Sequence, residues 1–242
     1  MFWTNRVCAT LAACAAMAAL APAAMAGVVV SASGPSAGQY PVGRQIADNA
    51  SVTLRAGDVV TVLQNGGTRV LRGPGTVVLA RGAAGASNPA FASLTGSRTA
   101  RRARTGAVRT GSVAPVSNPS LWYIDVTKAG TLCLPNADNL RLWRADTQAE
   151  SAYAIDPEGN SEGAMTVTFP AGEMLAAWDI YHPPVAGQTY RIGHGSGSNA
   201  VDVRFVFLDA VPATAEELAG ALATNGCTTQ LQQLADATLL AD

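Results

Sequence analysis

Histidine is almost missing from this chain, with His182 and His194 the only two among 242 residues. A zinc centre takes three or four nitrogen, sulfur or oxygen ligands at set spacings, and neither histidine has such neighbours. Both sit in Pro- and Gly-rich segments and read as exposed loop residues. Phosphate cradles are missing too. Gly193-His-Gly-Ser-Gly197 has no following Gly-Lys-Ser/Thr, and its serine is not centred as a nucleophile elbow demands, so a flexible hairpin loop is expected there. Asp156-x-Glu158-x-Asn160-x-Glu162 alternates oxygen ligands. A calcium loop, however, needs Gly where Ser161 stands and a ligand where Val167 stands, which leaves a solvated turn. Glu216-Glu217 fits the first turn of a helix, where the macrodipole favours carboxylates. With no Ser/His/Asp set left, the expectation is no enzyme, no catalytic residue, no metal and no cofactor.

Long apolar runs are equally scarce. The longest, Val7 to Leu20, counts roughly 15 residues against the ~20 that span a bilayer. Arg6 precedes it, Pro22 ends it, and Ala24-Met25-Ala26 supplies a small–x–small cleavage pattern. These are the parts of a secretory signal, so residues 1–26 are expected to be removed after Ala26. Leu11-Ala12-Ala13-Cys14 also matches a lipoprotein box, an alternative that would place a lipid on Cys14. No later run is long enough for a transmembrane anchor after signal cleavage. The expected mature product is a periplasmic or secreted protein that begins at Gly27.

Cysteine is sparse, and the address gives the sparseness meaning. Cys8 and Cys14 leave with the signal, while Cys133 and Cys227 remain. An even pair in an oxidising compartment is most simply a disulfide. A reactive thiol, the other reading, finds no base close in sequence.

Lysine is nearly absent, with Lys128 alone against fifteen arginines, a bias typical of high-GC bacterial genomes. Acid is absent from residues 81–120, which hold six arginines and a net charge of +6. Residues 27–80 carry +2 and residues 121–242 carry −10. The near-neutral total of −1 thus conceals a strong asymmetry. No aromatic side chain is interleaved among Arg98, Arg101, Arg102, Arg104 and Arg109, so the base-stacking that single-stranded nucleic acid requires is missing. An exported protein also meets little nucleic acid. This basic stretch remains a candidate contact for an acidic polymer, an acidic partner, or the chain's own acidic half.

What is present is mostly strand. Val28 to Val30, Val52 to Leu54, Val59 to Leu63, Thr68 to Leu71 and Thr76 to Leu79 are β-branched runs parted by turn residues. Asn65-Gly66 between two of them is a hairpin signal. A module this small, spanning 27–80, has a thin core of its own. Residues 81–120 read as a Gly/Ala/Arg-rich linker with one short helix near Phe91 to Leu94. Residues 121–242 resume strands at Leu121 to Val126, Thr131 to Leu134, Leu140 to Arg144, Met165 to Phe169, Thr189 to Ile192 and Val201 to Leu208. Pro135-Asn136, Asp156-Pro157 and Pro183-Pro184 are expected to be turns between them. Thr214-Ala-Glu-Glu217 then forms a capping box, Asn225-Gly226 stops that helix, and a second begins near Thr229. The fold class expected is mainly β: a small N-terminal β module, an Arg-rich linker, and a C-terminal β-sandwich-like domain with a short helical tail.

Residues 28–80 resemble a FecR-type periplasmic β domain. The resemblance rests on Val42-Gly43, Asp48-Asn49, Val52-Thr-Leu54, Ala56-Gly57-Asp58, Thr61-Val-Leu63 and the Gly73-Pro-Gly75 turn, with Arg102 to Arg109 as a further recurring element. It implies a non-catalytic module that contacts another envelope protein, often in signal relay to a sigma factor. FecR-type regulators carry a cytoplasmic segment and a membrane helix before that domain. Here a signal peptide takes their place, so only the interaction or sensing role carries over. The alternative is a structural envelope component that binds peptidoglycan or another acidic polymer through the basic linker.

Overall fold

The computed structural model describes residues 25–64, 67–80, 89–96, 116–158, 164–194 and 199–239. The expected signal up to Ala24, the Asn65-Gly66 turn, the five arginines Arg98, Arg101, Arg102, Arg104 and Arg109, and residues 159–163 of the acidic turn lie outside them.

The N-terminal unit contains β1 (Met25–Ser33), β2 (Gln45–Ala47), β3 (Ala50–Leu54), β4 (Val59–Gln64), β5 (Gly67–Arg72) and β6 (Gly75–Leu79). They form an antiparallel sheet in the order β2-β1-β4-β5 and a separate β3-β6 pair. One core lies between the two sheets, built from Val29, Ile46, Val52, Leu54, Val60, Val62, Leu71 and Leu79. Successive strand residues face opposite ways, so Val28 and Val30 leave that core. They and Leu63 are nonetheless buried, in a second core on the other face of the same sheet. The consecutive valines of β1 therefore mark a strand covered on both sides.

The cover comes from the far end of the chain. Helices α2 (Ala215–Thr224) and α3 (Thr228–Ala237) lay Leu218, Leu222, Leu231 and Leu234 against Val28, Val30 and Leu63. The Thr214 hydroxyl accepts from the Glu217 N–H at 3.3 Å as the sequence predicts, and Gly226 ends the helix at φ +73°. Gly43 must also be glycine. It holds φ +83°, and a Cβ there would come within 2.7 Å of the Ala223 Cβ on α2. A short helix α1 (Pro89–Thr95) adds Leu94 to the same core.

The C-terminal unit contains β7 (Tyr123–Asp125), β8 (Gly130–Leu134), β9 (Arg141–Trp143), β10 (Ser151–Pro157), β11 (Met165–Phe169), β12 (Leu175–Ala177), β13 (Thr189–His194) and β14 (Val201–Phe207). A five-stranded sheet, β11-β10-β13-β14-β8, and a three-stranded sheet, β12-β9-β7, enclose the third core. Both sheets are mixed, since β8 runs parallel to β14 and β7 parallel to β9. Val203 and Phe205 point inward while Asp202 and Arg204 point out, as their alternation requires.

Some local expectations fail. Asp156-Pro157 is not a turn between strands, because both residues close β10 and pair with Arg191 and Tyr190. Proline is tolerated there because the β11 ladder has already ended at Ile155, which leaves Pro157 paired on the β13 side alone. β10 itself escapes the sequence reading, since Ala152, Ala154 and the Pro are poor strand formers on which tertiary pairing prevails. Gly193 and His194 belong to β13 and not to a loop, and Leu121 and Trp122 precede β7 as a turn. The short strands β2 and β12 are also invisible to periodicity.

Candidate functional site

The expected disulfide is present. Cys133 on β8 and Cys227 at the N-cap of α3 are bonded, with their Cα atoms 5.9 Å apart. Both cysteines lie within the core that the helices share with β1. Next to this bond stands Gln230, a residue that composition alone does not single out. It is 1% exposed. Its amide donates to the carbonyls of Leu121 and Cys133 and accepts from the Cys133 N–H, each at 2.7 Å. β8 is an edge strand, and the Gln230 side chain completes it as a peptide of a neighbouring strand would. The C-terminal end of α3 is tied likewise. Thr68 on β5 donates its N–H to the Thr238 carbonyl at 2.7 Å, and the two hydroxyls stand 3.0 Å apart.

Charge inside the units is handled by local hydrogen bonds. Asp58, from the Ala56-Gly57-Asp58 motif, is 1% exposed. Its two carboxylate oxygens accept from the Ser36 N–H at 2.8 Å and the Arg55 N–H at 2.5 Å. Burial raises its pKa, but hydrogen bonds from Ser36 and Arg55 and the nearby Arg55 charge outweigh it and hold the carboxyl below its ordinary value. Arg144 is buried beneath Phe169, with its guanidinium carbon 5.0 Å from the ring centroid. It donates to the carbonyls of Glu173 at 3.0 Å, Ala149 at 2.9 Å and Pro170 at 2.8 Å. These contacts bind two loops together and serve the scaffold.

A broad groove of about 2070 Å³ lies between α3 and the three-stranded sheet. Gly96 and Val116 stand at it, and its charged lining is Asp125, Glu173 and Asp236 against Lys128. Among the described residues, no group of three or more His, Cys, Asp or Glu is placed to hold a metal ion. None of the described helices is long and apolar enough to cross a membrane.

The loop after β12 is different in kind. Ile180, Tyr181 and Val185 are 75%, 84% and 61% exposed. Both ends of the loop are held by the core below. Trp178, Tyr190 and Phe205 pack edge to face or tilted, with ring centroids 5.2 to 5.6 Å apart. The Trp178 indole donates to the His182 carbonyl at 2.7 Å, and the Tyr190 hydroxyl accepts from the Val185 N–H at 3.0 Å. Asp179 closes the turn by accepting from the Tyr181 N–H at 3.0 Å and contacting His182 Nδ1 at 2.8 Å. The Tyr181 N–H and His182 keep its carboxyl below the ordinary value. Pro183-Pro184 restricts the backbone between these anchors, as the turn expectation has it. His182 is thus an exposed loop residue as expected. His194, also exposed, sits at the end of β13 with its ring 5.1 Å from that of Tyr153.

No family model, curated protein or solved structure matches the chain. The site therefore stands on its own geometry. Ile180-Tyr181 is absent from the sequence-based candidates, although an apolar pair beside Pro-Pro, outside any strand alternation, is the signal that marks it.

Proposed function

We propose that this chain is an exported, non-catalytic protein of the bacterial envelope, acting as a protein-interaction or sensing module in the manner implied by its resemblance to FecR-type domains. The observation that carries this reading is the braced loop 179–185, which holds three apolar side chains in solvent. Apolar side chains left exposed together mark interaction surfaces, and an already ordered support lowers the entropy lost on binding. The disulfide between Cys133 and Cys227 supports a periplasmic or secreted address, because such bonds persist where the compartment is oxidising.

The test is crosslinking in intact cells with the tagged full chain, followed by mass spectrometry. One dominant envelope protein is expected. Recovery of none, across growth conditions, defeats the interaction reading.

A further inference from the structure

We infer that the loop 179–185 is the docking element of that interaction, and that its occupant is another protein with an apolar cleft rimmed by basic side chains. The inference rests on the interaction reading above and names its surface. Ile180 and Tyr181 are the most exposed of the large apolar side chains among the described residues, and they are adjacent. Tyrosine is among the residues that most often anchor interfaces, since its large rigid ring loses little freedom on binding. The loop is already ordered by Trp178, Asp179 and Tyr190, so little entropy is left for a partner to remove.

Charge decides the kind of occupant. The loop belongs to the C-terminal β unit, whose residues 121–209 hold eleven acidic against five basic side chains. Asp179 lies beside the apolar pair, while Arg204 at the loop's exit donates to the Gly187 carbonyl at 3.1 Å. A bilayer rich in anionic lipid repels such a surface. A second copy docking through the same loop would bring two Asp179 carboxylates and two net-acidic β units together, which is unfavourable at short range. A cleft edged by Lys or Arg meets the apolar pair and the surrounding charge at once.

The test places a photocrosslinking residue at position 181 of the tagged full chain, with position 78 as the control, since Val78 is also exposed. The expected result is a single adduct from 181 and none from 78, with the same envelope protein that general crosslinking recovers. With that protein purified, Tyr181→Ser and Ile180→Ser should each weaken binding by about tenfold or more. Val78→Ser should leave binding unchanged, and added salt should weaken it. Circular dichroism and thermal unfolding confirm that each variant is folded.

Several outcomes overturn the inference. If general crosslinking recovers a partner that 181 never labels, and both loop variants bind normally, docking lies elsewhere while the interaction reading stands. If neither method recovers a partner, both readings fail. Salt-insensitive binding removes the basic rim. Adducts between two copies, or binding to phosphatidylethanolamine–phosphatidylglycerol vesicles that Tyr181→Ser abolishes, replace the protein partner with a second copy or a lipid surface.

Discussion

Replacing Gln230 by Met tests whether one side-chain amide holds the helices to the C-terminal sheet. Methionine nearly preserves the volume but can neither donate nor accept strongly. The Leu121 carbonyl and both the N–H and carbonyl of Cys133 then lose their 2.7 Å partner in a site that is 1% exposed. A buried polar group stranded in this way costs about 1–3 kcal/mol. Three such groups, less about 1 kcal/mol regained from the more apolar side chain, give a loss of roughly 2–8 kcal/mol. Native stability is typically about 5–15 kcal/mol, so the change should be plain in equilibrium urea unfolding followed by tryptophan fluorescence. Gln232→Met, on the exposed face where Gln232 bonds Asp236, should shift stability by less than about 0.5 kcal/mol. Gln230→Glu sharpens the test. Its carboxylate would face two carbonyl oxygens, raising its folded pKa above the unfolded value. That variant should be least stable at neutral pH and regain stability as the pH falls and the group protonates. A loss under about 1 kcal/mol for Gln230→Met would refute the reasoning, because it would mean that water or a shifted backbone satisfies the edge.

Replacing Cys133 and Cys227 together by Ala should cost about 4–5 kcal/mol, from the chain entropy of a sequence separation of 94, as read by the same urea titration. Combining it with Gln230→Met should be non-additive, since both act on the Cys133 backbone. Asp58→Asn should destabilise at neutral pH, because one of its two N–H donors then faces an amide N–H. Since the folded pKa of Asp58 is lowered, its stabilisation is present above the unfolded value near 3.8 and is lost as pH falls through the folded value. The stability gap between the native chain and the variant should therefore close below about pH 4 in thermal unfolding scans, and a gap independent of pH would contradict it.

The helices change how the whole chain is understood. Taken alone, the N-terminal unit is a small module with one modest core. In the structure its central sheet is a middle layer, with Val29 and Val62 facing one core and Val28, Val30 and Leu63 facing another. The disulfide, Gln230 and the Thr68–Thr238 contacts then make the helical tail from α2 onward the joint between the two β units.

Much of this was legible from residue order. Turn chemistry and β-branched runs located most strands, because backbone preference and alternation are local properties. The helix boundaries followed from Thr214 and Gly226, whose roles depend only on immediate neighbours. Three strands were not legible. β2 and β12 are too short to show a period, and β10 is made of residues that pair only because β11 and β13 lie on either side of it. Gln230 was illegible for a deeper reason: a glutamine on a helix reads as solvent-facing until the edge of β8 is brought against it. Ile180 and Tyr181 had the opposite fate, since an apolar pair is assumed buried until nothing is found to cover it.

The sequence by itself determined the β class, the helix stops and the pairing of Cys133 with Cys227. Each follows from local chemistry or from simple counting. Only the tertiary structure decided where the helices lie, which polar side chains are buried and which apolar ones are left in water. Those outcomes depend on contacts between residues as far apart as Thr68 and Thr238, and no window of sequence contains both.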